Sequence, residues 1–81
     1  MTTTLVPIVL WTQKGCGPCI AADAMLRGAG VHYVKIDVQH ADSARVARWR
    51  VQGITGTPII ESGGLSFQGA DPARIAALAE L

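Results

Sequence analysis

Residues 5–38 read LVPIVLWTQKGCGPCIAADAMLRGAGVHYVKIDV, and the order of apolar runs within them decides the fold. Residues 5–11 form a continuous apolar run of strand length, interrupted only by Pro7, as in a strand buried on both faces. From Cys16 onward the apolar spacing turns helical, through Ile20, Ala21, Ala24, Met25 and Leu26, and Gly28 or Gly30 supplies the stop. Residues 31–38 then read as a second strand, with Val31, Tyr33 or Val34, Ile36 and Val38 apolar. Strand, helix and strand joined by short loops predict a right-handed parallel crossover.

The downstream half completes a sheet. Asp42 or Ser43 can cap a second helix that runs to about Val51 and stops at Gly53. Two short strand-like runs, 58–62 and 65–68, flank Gly63-Gly64, a dipeptide that supplies the positive φ angles of tight hairpin turns. Asp71-Pro72 starts a last helix, with Asp71 as N-cap and Pro72 at the first helical position. Its apolar stripe is Ile75, Leu78 and Ala79, with Ala76 or Leu81. The predicted order is β-α-β-α-β-β-α: an α/β architecture with a four-stranded mixed sheet flanked by helices.

Composition narrows the chemistry. At 81 residues, 49% hydrophobic and 16% charged, the chain is of globular type and long enough for one small domain, which spans 1–81. A formal charge of +1 argues against nucleic acid as the main partner, since phosphate binding needs a clustered basic footprint. Arg45, Arg48 and Arg50 are the one basic concentration, and they read as a solvated helix face. No run reaches the roughly 18 apolar residues of a spanning helix, and the N-terminal residues lack a positively charged leader pattern. A soluble, monomeric, cytoplasmic protein with no membrane partner is expected, in a compartment that keeps thiols reduced.

The two cysteines, three positions apart, are then the decisive pair. As a structural staple they would gain little, about 2 kcal/mol for a loop of about four residues. As a zinc site they fall two ligands short of four, and His32 and His40 lack finger-type spacing. A reactive dithiol remains. Cys16 falls at a helix N-terminus, where unpaired N–H groups and the helix dipole favour a thiolate. Lys14 can add positive charge two residues upstream. Gly17-Pro18 lies in the first turn, where a missing N–H costs nothing. The expected exchange has Cys16 attack a substrate disulfide and Cys19 resolve the mixed disulfide. Thr57-Pro58 opens a strand, and spacing alone favours a trans peptide bond there over the rarer cis form.

Residues 8–12 (Ile-Val-Leu-Trp-Thr), Cys16-x-x-Cys19, Gly30-Val31, Asp37, Thr57-Pro58 and Gly63-Gly64 resemble the glutaredoxin-like branch of the thioredoxin superfamily. The tail at residues 65–72, Leu-Ser-Phe-Gln-Gly-Ala-Asp-Pro, is similar to the NrdH-redoxin subgroup. The resemblance covers residues 6 to 80 or so and implies a minimal thioredoxin fold. It further implies Cys16 as nucleophile, Cys19 as resolving thiol, Pro58 as a cis-proline facing them, and a Thr57 backbone offered to substrate. It places Trp11 beside the motif loop among the substrate-binding residues. The implied function is a dithiol–disulfide oxidoreductase with no cofactor beyond its redox-active disulfide, reduced by thioredoxin reductase and feeding ribonucleotide reductase. Two alternatives stay open: a glutathione-dependent glutaredoxin, in which Lys14, Thr57 and the helix start at Asp71 would hold glutathione, and an iron–sulfur or zinc carrier.

Several positions depart from those patterns. Gly17-Pro18 is the thioredoxin dipeptide, not the Pro-Tyr of many glutaredoxins or the Val-Gln or Met-Gln usual in NrdH-redoxins. It points to a reducing potential of roughly −270 mV. The strand before the motif carries no carboxylate to assist Cys19, so proton removal would fall to water or the departing thiolate. Gly15 stands where thioredoxins have Trp; Phe67 and Ala70 stand where NrdH-redoxins often have Trp and Phe.

Overall fold

A computed structural model describes residues 8–80. Residues 5–7 of the first predicted strand, the N-terminal residues read for a leader, and Leu81 of the last stripe lie outside them. The elements are β1 (Ile8–Thr12), α1 (Gly17–Gly28), β2 (Tyr33–Asp37), a short 3-10 turn (Val38–His40), α2 (Ser43–Val51), β3 (Ile59–Ser62), β4 (Leu65–Gln68) and α3 (Pro72–Leu78). They form one mixed sheet in the order β2-β1-β3-β4, with β1 parallel to β2 and antiparallel to β3. The β-α-β-α-β-β-α order and thioredoxin-like fold are as the sequence predicts.

Strand alternation divides the interior into two cores. Ile8, Leu10 and Ile60 pack on one face with Ala22 and Leu26 of α1 and Ile75 of α3. Trp11 and Ile59 pack on the other with Trp49 of α2 and Ile54. Leu10, Leu26 and Ile60 are fully enclosed, so truncating any one to alanine costs about 2–5 kcal/mol.

The helical phase of α1 differs from the predicted stripe. Its buried residues are Cys19, Ala22 and Leu26, whereas Ile20 is 75% exposed and Ala24 is exposed. The cause is local: Cys16 is the N-cap, so Cys19 turns inward and sets the phase for residues three and seven positions on. The helix closes at Ala29, with Gly30 in the left-handed region (φ 71°). In the hairpin only Gly63 takes positive φ (63°), the pattern in which the first central residue alone is left-handed.

The second core contains a polar hub the sequence did not advertise. The Glu61 carboxylate accepts from both indoles, Trp11 Nε1 at 2.9 Å and Trp49 Nε1 at 3.3 Å. It also accepts from Arg45 Nε at 3.2 Å and Ser66 Oγ at 3.3 Å. The Trp11 and Trp49 rings meet edge-on with centroids 5.4 Å apart, and the Arg45 guanidinium lies 5.2 Å from the Trp11 ring centre. Two expectations are corrected here. Arg45 is tied into this hub and is not part of a purely solvated face; Arg48 and Arg50 are exposed. Trp11 is 3% exposed, so it is core rather than a substrate contact.

Replacing Glu61 by leucine strands two indole N–H groups and the guanidinium together. The expected loss is about 2–3 kcal/mol, read as a lower urea midpoint at unchanged slope. Glu61→Gln, which keeps an acceptor, should lose about half as much.

Candidate functional site: a dithiol at the start of a helix

The loop from β1 to α1 delivers the cysteines to the end of the sheet. Gly15 takes φ 76°, which lets the chain reverse before Cys16. Cys16 is the N-cap of α1 in extended conformation, and its Sγ accepts from the Cys19 backbone N–H at 3.1 Å. An amide left unpaired at a helix start therefore points at the sulfur. Pro18 occupies the first turn, where no helical N–H is lost. Cys16 and Cys19 are joined as a disulfide with Cα atoms 5.2 Å apart. Cys16 is half-buried, and Cys19 is 4% exposed.

The Thr57–Pro58 peptide bond is cis. Pro58 is fully buried, and its carbonyl accepts from the Gly69 N–H at 2.9 Å. Thr57 Oγ1 donates to Gln13 Oε1 at 3.3 Å, which ties the loop before β3 to the loop that carries the cysteines. Gln13 was not among the predicted residues; its signal is this contact, 44 positions away in the chain.

Two clefts flank this tie. One, of about 490 Å³, is walled by Thr12, Gln13, Cys16, Cys19, Asp23 and Lys35 among others. The other, of about 380 Å³, is walled by Gln13, Trp49, Arg50, Thr55 and Thr57 among others. Lys14 lines neither and is exposed. Asp71 lines neither: its carboxylate caps α3, accepting from the Ala73 N–H at 3.0 Å, and pairs with Arg74 at 3.7 Å. Trp49, unassigned by sequence, touches the second cleft from the core beneath it. Among the described residues, no three His, Cys, Asp or Glu side chains converge as a metal-holding group. No helix of the described chain is long and apolar enough to cross a membrane.

Asp23 draws together elements that the sequence left separate. Its carboxylate accepts from the Tyr33 hydroxyl, from Lys35 Nζ at 3.1 Å and from Arg27 Nη2 at 3.0 Å. The Tyr33 hydrogen bond is the largest influence holding the Asp23 carboxyl below its ordinary 3.8, against the opposing effect of burial. The same bond, with burial and the carboxylate's charge, pushes the Tyr33 phenol above 10.0.

Such a helix-capping disulfide on a thioredoxin-like frame, with a cis-proline leading into the strand that pairs with β1, defines a thiol–disulfide oxidoreductase. The glutaredoxin family profile matches residues 8–66. The N-acetyl-S-hydroxy-L-cysteine reductase of Bacillus subtilis (strain 168) is 32% identical over 66 residues, which cover 80% of this chain and 71% of that protein. The Gene 56 protein of Mycobacterium phage D29 is 33% identical over 60 residues, 74% of this chain and 67% of its own. In three dimensions the chain is similar to the glutaredoxin-like NrdH-redoxin of Escherichia coli, a protein described as having a thioredoxin-like activity profile. That match has a TM-score of 0.74 and 29% identity, covering 90% of this chain and 95% of the other. The chain belongs to the glutaredoxin family.

Tyr33 is the chain's single tyrosine, so its titration is read directly from phenolate absorbance. It should ionise above 10.0 in the folded protein and return toward that value in Asp23→Asn. The linkage has a definite sign. A raised phenol stabilises the fold fully below pH 10.0, and that contribution disappears as pH rises through the folded-state value. The lowered Asp23 carboxyl stabilises above pH 3.8, and its contribution disappears as pH falls through its own folded-state value. Melting temperatures of Tyr33→Phe and the parent chain should therefore converge at strongly alkaline pH.

Proposed function

We propose that this chain is a dithiol electron donor that reduces protein disulfides, is itself reduced by thioredoxin reductase, and serves ribonucleotide reductase. The observation that carries the reading is Cys16 Sγ receiving the Cys19 N–H at the start of α1, on a loop that Gln13 ties to Thr57 of the cis Thr57–Pro58 bond. The thioredoxin dipeptide Gly17-Pro18 and the likeness to an NrdH-redoxin with a thioredoxin-like activity profile support it.

In this reading Cys16 is the nucleophile, because it is the more accessible sulfur and receives the helix-end N–H. Its thiolate attacks one sulfur of a substrate disulfide; the other sulfur departs as thiolate, and Cys16 becomes part of a mixed disulfide. Cys19, packed on the same turn, loses its proton and attacks Cys16. The Cys16–Cys19 bond forms, the bond to substrate breaks, and the substrate leaves reduced by two electrons in all. Thr57 offers backbone groups to the extended substrate segment and Pro58 supports it. Gly17 and Pro18 keep the turn clear for approach. Lys14 sits on the exposed loop, where it can meet a partner's acidic surface. No cofactor is needed beyond the cysteine pair, and a reducing, cytoplasmic setting suits the cycle.

A second reading rests on a specific observation: the relative named for reducing N-acetyl-S-hydroxy-L-cysteine acts on a small sulfur compound. The cleft holding Arg50, Gln13 and Thr57 is of a size for a small anionic thiol such as glutathione.

A coupled assay separates the two. Oxidised protein is supplied with NADPH and either thioredoxin reductase or glutathione with glutathione reductase, and NADPH loss is followed. Turnover with thioredoxin reductase at least tenfold faster is expected; turnover with glutathione alone contradicts the reading. Cys16→Ser should abolish turnover in either system.

A further inference from the structure

The strand leading to the motif brings no carboxylate or cation to the dithiol: Ile8, Val9, Leu10 and Trp11 are apolar and Thr12 is uncharged. The charged side chains in the wall of the larger cleft are Asp23 and Lys35. Asp23 lies four residues after Cys19 on α1, so the two share a helix face. Lys35 comes from β2, in register with Leu10 of β1, and reaches across to Asp23 at 3.1 Å. Tyr33, two residues earlier on the same side of β2, fixes the other Asp23 oxygen. The Asp23 side chain is 16% exposed and that of Lys35 is 52% exposed. The carboxylate is the less exposed partner of the pair and the lysine the more exposed one.

We infer that Lys35 is a positioning residue for the dithiol: held by Asp23, its ammonium faces the cleft that Cys16 and Cys19 share and eases loss of the Cys19 proton during resolution. The inference rests on the proposed cycle between disulfide and dithiol. Its physical content is Coulombic. A cation near a sulfur favours thiolate, and a carboxylate near the same sulfur opposes it. In the resolving step the Cys19 proton passes to water in the cleft, the Cys19 thiolate bonds Cys16, and the electron pair of the broken bond leaves on the substrate sulfur, which takes up a proton from solvent. Lys35 donates no proton and forms no bond to sulfur; it lowers the energy of the intermediate thiolate.

The charged groups on the neighbouring elements act differently. Lys14, on the loop before Cys16, lines neither cleft. Arg27 is a further turn along α1 and 71% exposed. Asp71 and Arg74 at the start of α3 neutralise one another, and Asp37 at the end of β2 is occupied with the Gln39 N–H at 3.0 Å. Tyr33 is neutral below 10.0.

Opposite charges on Asp23 and Lys35 give the test a sign that packing cannot imitate. In a Cys16→Ser background Cys19 is the sole thiol, and its ionisation is followed by thiolate absorbance against pH and by its alkylation rate at one pH below its pKa. Adding Lys35→Met should raise the Cys19 pKa and slow alkylation about two- to fivefold, allowing for the solvent exposure of the lysine. Adding Asp23→Asn, whose single amide oxygen still accepts from Tyr33 while the negative charge is removed, should lower the pKa and speed alkylation by a similar factor. Lys35→Arg should behave as the parent, and both charge effects should shrink in about 1 M salt, where the screening length is about 3 Å. Melting curves of each variant establish that the fold is kept. Shifts of the same sign for Lys35→Met and Asp23→Asn, or no shift in either, overturn the inference while leaving disulfide turnover by the otherwise unaltered protein intact. Failure of that protein to turn over would instead remove the redox cycle itself.

Discussion

A single contact organises this molecule: the N–H of Cys19 pointing at the sulfur of Cys16 across the first turn of α1. It exists only because β1 ends where it does. The buried strand holds Leu10 and Trp11 in two separate cores, and the Gly15 reversal then presents Cys16 at the helix start. Pro18 can sit in that turn because the position lacks a helical partner for its missing N–H. The contact also fixes the phase of α1. With Cys19 turned inward, Ala22 and Leu26 must follow it into the core, and Ile20 is left outside beside the motif.

The two cores have different characters. The α1/α3 side is aliphatic and close-packed, which suits a platform that must not shift when a disulfide opens and closes. The α2 side is built on Trp11 and Trp49, whose N–H groups need an acceptor, and Glu61 supplies it while holding Arg45. A half-buried carboxylate is tolerable there because four donors surround it. Asp23 repeats the device on the other side of the sheet with a phenol, a lysine and an arginine.

Local signals were legible in the sequence, and distant pairings were not. The helix caps at Asp42 and Asp71, the Gly63 turn and the Cys-x-x-Cys pair follow from residues within four positions of one another. The cis bond at Thr57 followed from family resemblance and not from spacing. Family resemblance places Trp11 among the substrate-binding residues, whereas the acceptor that holds its indole in the core, Glu61, lies 50 positions away and leaves no local signal. Arg45 reads as solvated because it shares a short helix with Arg48 and Arg50, and its partner Glu61 is 16 positions away. Asp23, Tyr33 and Lys35 were invisible as a cluster until β2 folded alongside β1 and brought the latter two over α1. The site's cysteines were thus plain from their spacing, whereas the charges that surround them depend on the crossover.

The redox cycle requires Cys16 to be the attacking sulfur, and covalent trapping reveals which sulfur attacks. Reduced Cys19→Ser and Cys16→Ser variants are each mixed with a protein disulfide substrate, and mixed disulfides are identified by mass. Rapid, stable capture through Cys16 is expected in the Cys19→Ser variant, with capture through Cys19 slower by at least tenfold. Equal or faster capture through Cys19 would contradict attack by Cys16.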